Sequence, residues 1–260
     1  MKYSVITYIM GDYEVVRELE FDPSITPDVE YICVTDNPNL TSKTWKIFYD
    51  KDLNNNNLNA FDKVTLVRYN LFKYCKNDIC VRIDGSMQIK SPLDVLVEKF
   101  ISEDYFGCLL LHPHRQNIIT EYITWVLYRG FNAQEALLYL YVLGMEFNYD
   151  FRIKSLIQQG VSINRKTDIT QEINQKMFNL LIKDDGHFTR LDQTIFTALI
   201  TSQYNNLKWL FIDDEIFNSD YLAMYKHGEY NQQLFFDPTT FLNPFFNNKE
   251  VEVYKLPNKE

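Results

Sequence analysis

The chain has 260 residues, of which 46% are hydrophobic, and it carries a formal net charge of −9. This charge argues against a general nucleic-acid-binding protein, because such proteins present a basic face to the phosphate backbone. The length and the hydrophobic content suffice for a sizeable core, and the sequence shows no internal repeat and no Pro/Gly/Ser linker. We therefore predict a single domain over residues 1–260 and expect no nucleic-acid partner.

The cysteines and the apolar segments bear on the cellular compartment of the protein. Cys33, Cys75, Cys80 and Cys108 lack zinc-site spacing, and we interpret them as buried thiols of a reducing compartment. The amino-terminal apolar run has no small-residue cleavage site, which favours a first strand over a signal peptide. No apolar stretch is long enough to span a bilayer. We expect a cytoplasmic protein, and a peripheral position at a membrane surface remains open.

Strands and helices alternate through the first half of the chain, which predicts an α/β fold with a sheet flanked by helices. The predicted strands of this half are residues 2–9, 29–34, 45–49, 79–83 and 105–111. A helical pattern covers residues 60–74, and a Pro-initiated segment covers residues 92–100. The second half is more helical, with helices predicted at 118–127, 133–141, 150–159, 173–182 and 190–201 and strands at 161–164, 207–212 and 251–256.

The apolar run 79–83 ends abruptly at Asp84-Gly85-Ser86, which is typical of a buried strand followed by a turn. In open α/β sheets, ligands bind just beyond the carboxyl ends of the strands. Asp84 would then be a carboxylate at the place where such folds perform chemistry, able to hold a divalent cation or to accept hydrogen bonds from a sugar. The alternative is that Asp84-Gly85 is only a turn, and this stretch alone leaves both interpretations open.

Other predicted strands also end in polar residues, at 8–12, 35–37 and 112–115. This pattern is typical of a nucleotide-type pocket. The glycine-rich phosphate-binding motifs are absent, which disfavours a dinucleotide enzyme or a P-loop kinase. Bound phosphates would therefore need a metal or side chains, for which the candidates are Lys63, Arg68, Arg82 and Arg115.

Two further sets of residues have both an ordinary and a functional interpretation. His112 and His114 would share one face of an extended segment and could chelate a metal, although the sequence indicates no third ligand. Asp192 lies at the predicted start of a helix, where an acid complements the helix dipole. It could equally act as a general base or accept a hydrogen bond from a sugar hydroxyl.

In their order and spacing, these pieces resemble a glycosyltransferase-like family of GT-A type that includes plant turgor and mucilage proteins and bacterial polysaccharide-cluster proteins. The resemblance rests on the strand 31–36 ending in Thr-Asp, the Trp strand 45–47 and the basic helix before the Asp-Gly turn at 82–89. It continues with His-Pro-x-Arg at 112–115, Glu121, Arg165 and the Arg-x-Asp-Gln helix start at 190–193, and it spans residues 3–212.

The resemblance implies a GT-A-like, Rossmann-type mixed sheet and an enzyme that transfers a sugar from a nucleotide-sugar donor. The implied donor is UDP- or GDP-linked, and the implied acceptor is a saccharide of surface or capsular polysaccharide synthesis. Asp84 and Asp192 would be catalytic. The implied nucleotide-sugar-binding residues are Thr7, Tyr8, Asp36, Lys63, Arg68, Arg82, Gly85, Arg115, Glu121, Arg165 and Gln193.

The resemblance also implies Mn²⁺ or Mg²⁺ on the donor diphosphate, with Asp84 and His112 as candidate ligands. The sequence departs from the family pattern here, because Arg82 stands where the first acid of an Asp-x-Asp pair would be. Mg²⁺ can be held by few protein ligands, but Arg82 or Arg115 could also neutralise the leaving diphosphate without a metal.

Two rival functions remain. One is a nucleotidyltransferase, for which residues 10–13 lack the usual basic loop. The other is a non-catalytic glycan- or partner-binding protein on the same fold.

Overall fold

The fold is taken from a computed structural model of the chain. It describes residues 1–11, 14–55, 57–112, 117–129, 132–153, 155–183, 192–213, 215–216, 219–225 and 253–255. Its strands are β1 (Tyr3–Ile9), β2 (Val29–Thr35), β3 (Lys46–Tyr49), β4 (Ile79–Ile83), β5 (Met87–Ile89), β6 (Gly107–Leu111), β7 (Ile157–Arg165), β8 (Trp209–Ile212), β9 (Leu222–Met224) and β10 (Val253–Tyr254). Its α-helices are α1 (Ala60–Arg68), α2 (Asp94–Ser102), α3 (Ile118–Arg129), α4 (Ala133–Phe147), α5 (Asp168–Phe178) and α6 (Asp192–Gln203).

Eight of these strands form one mostly parallel sheet in the order β10-β8-β6-β7-β4-β1-β2-β3, while β5 and β9 form a small second sheet. Strand β7 is antiparallel to both of its neighbours, β4 and β6, and the remaining pairs of the large sheet are parallel. The predicted α/β class is confirmed. The carboxyl ends of β1, β2 and β4 meet at one edge of the sheet, as the sequence predicts.

Helices cover both faces of the sheet, which explains why its central strands are apolar on both sides. Every residue of β1 is buried. Alternate residues of β1 point to opposite faces: Val5 and Ile9 join the core shared with α2, whereas Ile6 and Tyr8 join the core shared with α1. A third apolar core is formed by α3 to α6 against β6 and β7.

One predicted element is wrong. The apolar spacing of residues 150–159 predicts a helix, but β7 begins at Ile157 and continues to Arg165. The segment exchanges hydrogen bonds with two strands, β4 and β6, and this pairing overrides the local pattern. Among the described residues, no helix has the length and apolar character needed to cross a membrane.

Candidate functional site

A buried arginine joins the elements at the carboxyl edge of the sheet. Arg68, the last residue of α1, contacts the carboxylate of Asp192 through Nη1 and donates from Nε to the hydroxyl of Tyr8 at 3.2 Å. Its Nη2 lies 4.0 Å from Oδ2 of Asp84. We call Tyr8, Arg68, Arg82, Asp84 and Asp192 the arginine–aspartate cluster. It places both predicted catalytic carboxylates around one guanidinium.

Asp192 reaches this cluster because α6 is fastened to the antiparallel strand. The hydroxyl of Thr197, in the second turn of α6, accepts a hydrogen bond of 2.9 Å from the backbone N–H of Ile157 in β7. Asp192 is the first residue of α6, and its Oδ1 accepts the N–H of Gln193 at 2.9 Å. One oxygen of Asp192 faces the helix and the other faces Arg68, so its position at the helix start is compatible with the predicted role at the site.

Arg68 keeps its charge in this environment. Burial alone would lower the pKa of the guanidinium, but the neighbouring Tyr8, Asp192 and Asp84 outweigh burial and raise it above its usual value. The cluster therefore contains a permanently charged guanidinium of which only 8% of the side chain is exposed. An uncompensated buried charge would cost several kcal/mol, on the order of 3–5, so the carboxylates also hold Arg68 in place.

Arg82 is engaged by the protein at all three of its guanidinium nitrogens and is 2% exposed. Nε donates to Ser162 at 3.0 Å, and Nη2 donates to the side-chain oxygen of Gln159 at 3.1 Å. Nη1 donates to the backbone carbonyl of Gln159 and to the hydroxyl of Tyr8 at 3.3 Å. Arg82 thus ties β4 to β7 and positions Tyr8. Four of its five N–H groups therefore donate within the protein.

The geometry of Asp84 is compatible with both of its interpretations, as a turn residue and as a carboxylate that faces a ligand. Oδ1 of Asp84 accepts the backbone N–H of Ser86 at 3.1 Å and the Ser86 hydroxyl at 2.8 Å, so Asp84 does build a turn. Oδ2 faces Arg68, as described above. Gly85 is needed for close packing, because a Cβ at that position would lie 2.8 Å from the carbonyl oxygen of Tyr8. The turn is thereby pressed against the end of β1.

A second ion pair lies at the end of β2. Nζ of Lys63 is 2.7 Å from Oδ2 of Asp36, and Oδ1 of Asp36 accepts the backbone N–H of Gly11 at 2.8 Å. Burial by itself raises the pKa of Asp36, but the Lys63 and Gly11 hydrogen bonds outweigh it and lower that pKa below its usual value. Asp36, one of the predicted nucleotide-sugar-binding residues, therefore fastens the segment after β1 to the end of β2.

The other predicted site residues are dispersed. Thr7 is buried in β1 and points to the face opposite to Tyr8. Glu121 is buried in α3 and accepts the indole N–H of Trp125 at 2.7 Å. His112 is buried at the end of β6, where its backbone N–H donates to Leu156 at 2.7 Å. Gln193 directly follows Asp192, and its Oε1 is buried with no partner among the described residues. Arg115 and His114 lie outside the described residues.

The prediction that Arg165 belongs to this site is not supported by its position. Arg165 ends β7, and because β7 is antiparallel it pairs with Ile79 at the start of β4. Ile79 lies at the edge of the sheet opposite to the candidate site. It precedes Ile83, at the site edge, by four residues, which correspond to roughly 13 Å along β4. The guanidinium of Arg165 donates to the carbonyl of Tyr105 at 3.1 Å and lies 3.4 Å from Asp104.

Several residues of the site were missed by sequence reasoning. Ser162 and Gln159 hold Arg82, and Ser86 holds Asp84. Tyr69, next to Arg68, is buried, and its hydroxyl has no hydrogen-bond partner within the described part of the chain. Ser86 is close to a predicted residue and could have been found from the turn chemistry. Ser162 and Gln159 carry no local signal, because it is the pairing of β7 with β4 that brings them to Arg82.

A cavity of about 660 Å³ opens elsewhere, between the chain around Leu71–Lys73 and helix α5. Its lining includes half-exposed Phe72 and Phe178 together with polar residues such as Asn174. Of the arginine–aspartate cluster, no residue lines this cavity. We place the candidate site at the cluster, because paired charges and the strand ends meet there, and size alone does not identify a site.

Among the described residues, no group of three or more His, Cys, Asp or Glu side chains is arranged to hold a metal ion. All four cysteines are free. A scan against models of known protein families found no match, and a search of the curated proteins found none either.

Proposed function

We propose that the chain is a glycosyltransferase of GT-A type that moves a sugar from a UDP- or GDP-linked donor to a saccharide acceptor in surface or capsular polysaccharide synthesis. The observation that carries this proposal is the convergence of Asp84 and Asp192 on Arg68 at the carboxyl edge of a mostly parallel sheet. Nucleotides bind at this edge in folds of this class. The free state of the cysteines supports a reducing, cytoplasmic location.

The proposed roles follow from position along the edge. Asp36, Tyr8 and Lys63 border the nucleoside, at the ends of β1 and β2. Arg68 faces the diphosphate, and Asp84 accepts hydrogen bonds from the hydroxyls of the donor sugar. Asp192 takes the proton of the attacking acceptor hydroxyl, because one of its oxygens lies at the cluster rather than in the helix.

The carboxylate oxygens of Asp84 and Asp192 are poorly suited to binding a divalent cation. Oδ1 of Asp84 is already accepting two hydrogen bonds from Ser86, and the carboxylate of Asp192 is in contact with Arg68. A cation bound to Asp84 Oδ2 would lie beside the Arg68 guanidinium, which repels it. The proposed reaction therefore uses neither Mn²⁺ nor Mg²⁺.

The proposal is tested by substituting Asp84. Asparagine keeps the oxygen that accepts the Ser86 hydrogen bonds but replaces Oδ2, the proposed acceptor for a donor-sugar hydroxyl, with an amide, so Asp84→Asn should fold normally and lose about 10²-fold in turnover. The readout is release of UDP or GDP from a panel of nucleotide-sugars with oligosaccharide acceptors, after a thermal-shift screen has identified the nucleotide that binds. Asp28→Asn is the matched control, since Asp28 is exposed and precedes β2 at the other end of the strand.

Full turnover by a stably folded Asp84→Asn protein would refute the catalytic assignment. Nucleotide binding without turnover of any donor by the wild-type chain would instead favour the non-catalytic binding protein. The nucleotidyltransferase gains no support from the described residues, because Gly11 donates to Asp36 and no basic side chain follows it in the described chain before Arg17.

A further inference from the structure

We propose that Arg68 occupies the place of the divalent cation, so that the chain binds a nucleoside diphosphate without any metal. This inference rests on the proposed function and identifies the group that supplies the positive charge at the same site. It departs from the metal dependence that the family resemblance implies. Three features of the described residues carry it: the engagement of the carboxylates, the free donors of Arg68, and the way its neighbouring cations are already paired.

Three of the four carboxylate oxygens that would hold a metal already have close partners. Asp84 uses Oδ1 for the turn, through Ser86, and Asp192 uses Oδ1 for the start of α6, through Gln193. The remaining oxygen of each residue faces the same guanidinium. A metal at Asp192 Oδ2 would have to displace Arg68, whose side chain is buried and held by Tyr8 as well. A metal at Asp84 Oδ2 would lie beside the positive charge of the same guanidinium.

Arg68 also retains hydrogen-bond donors for a ligand. Nε donates to Tyr8 and Nη1 contacts Asp192, but Nη2 makes no hydrogen bond in the described part of the chain. Its distance of 4.0 Å to Asp84 is longer than a hydrogen bond. A phosphate oxygen could replace this loose contact at little cost. The planar, permanently charged guanidinium is well suited to binding phosphate oxygens.

Two neighbouring cations, Arg82 and Lys63, are already engaged. All three nitrogens of Arg82 donate to Tyr8, Ser162 or Gln159. Lys63 is paired with Asp36 at 2.7 Å. Of these three cations, Arg68 is therefore the one best placed to meet the charge that develops on a leaving diphosphate.

In the transfer step, the bond between the anomeric carbon and the diphosphate oxygen breaks, and its electron pair remains on that oxygen. The acceptor oxygen forms the new bond to the anomeric carbon, and its proton passes to Asp192. The new negative charge on the diphosphate is stabilised by the N–H groups on Nη2 of Arg68. No oxidant, reductant or further reactant is needed.

The first experiment is calorimetric titration of the wild-type chain with UDP and with GDP, in EDTA and again in Mn²⁺. We expect one of the two nucleotides to bind with the same dissociation constant, within about twofold, in both solutions. A loss of tenfold or more in EDTA would overturn the inference while leaving the proposed transferase intact. Binding of neither nucleotide in either solution would overturn the inference and the proposed function together.

The second experiment removes the guanidinium. Arg68→Met should weaken binding in EDTA by at least tenfold, and Mn²⁺ should restore part of it because Asp84 and Asp192 then lack a cation. Since the single variant leaves two carboxylates uncompensated, the double variant Arg68→Met/Asp192→Asn, compared with Asp192→Asn alone, provides a charge-balanced test. Arg152→Met is the control, because Arg152 is exposed and pairs only with Asp150 among the described residues. Unchanged affinity in the folded single or double variant would overturn the inference.

Discussion

At the scale of a residue, the carboxylate of Glu18 joins two connecting segments of the chain. It accepts four hydrogen bonds, from the hydroxyls of Ser42 and Thr44 and from the backbone N–H groups of Lys43 and Thr44. Partial burial opposes ionisation, but these hydrogen bonds outweigh it and lower the pKa of Glu18 to about 2. The segment after β1 is thereby attached to the segment before β3.

We expect Glu18→Gln to lower the free energy of unfolding by about 2 kcal/mol at pH 7, after allowance for solvent screening. The folded-state pKa is depressed, so this stabilisation is complete above the unfolded value near 4.5 and is lost as the pH falls toward 2. Urea unfolding of both proteins from pH 7 to pH 2.5 measures the difference, which should shrink below pH 4.5. A difference independent of pH would contradict this account. Exposed Glu98→Gln serves as the control.

At the scale of an element, the turn between β4 and β5 depends on the absence of a side chain at Gly85. The Cβ of an alanine there would lie 2.8 Å from the Tyr8 carbonyl oxygen and 2.9 Å from Cδ1 of Ile9. The first neighbour is backbone of a central strand and cannot rotate away. The turn would have to move, and Asp84 would move with it.

Gly85→Ala should therefore cost about 1–3 kcal/mol of stability and lower the turnover of the nucleotide-sugar several-fold, because it moves Asp84, which faces the donor sugar. Thermal unfolding and release of UDP or GDP measure the two effects. Gly144→Ala in α4 is the control: its Cβ would meet only the Phe151 ring, at 3.3 Å, and alanine favours a helix. Equal behaviour of the two variants would show that the close approach at Gly85 is unimportant.

At the scale of the whole molecule, Arg82 connects the two halves of the large sheet. Strands β3, β2, β1 and β4 lie on one side of β7, and β6, β8 and β10 lie on the other. Arg82 projects from β4 and donates to Ser162 and Gln159 of β7. The antiparallel strand is thus joined to the parallel strands by a charged side chain as well as by the backbone ladder.

Arg82→Met should leave these acceptors without their donor and cost about 3 kcal/mol. The melting temperature should fall by roughly 6–12 °C for a chain of this size. Differential scanning calorimetry tests this, with the exposed Arg152→Met expected to change stability by less than about 0.5 kcal/mol. A variant as stable as the control would mean that Arg82 does not stabilise the sheet and is available to bind a ligand.

The α/β class and the strands that carry the site follow from the amino-acid sequence alone. Strands β1, β2, β4 and β6 are buried apolar runs bounded by turn residues, and such runs are recognisable locally. Because parallel strands end at a common edge, the sequence suffices to place Asp36 and Asp84 at the same edge of the sheet. Arg68 is also identifiable, since its neighbours in helical register are apolar.

Which charges meet depends instead on the tertiary fold. Arg68 and Asp192 are 124 residues apart in the chain, and their contact depends on how α6 docks on β7. The direction of β7 likewise cannot be predicted from its own residues, because it depends on how β7 pairs with the neighbouring strands β4 and β6. That direction places Ser162 and Gln159 at Arg82 and sends Arg165 to the far edge. Local patterns determine what an element is, but long-range pairing determines which side chains it delivers to the site.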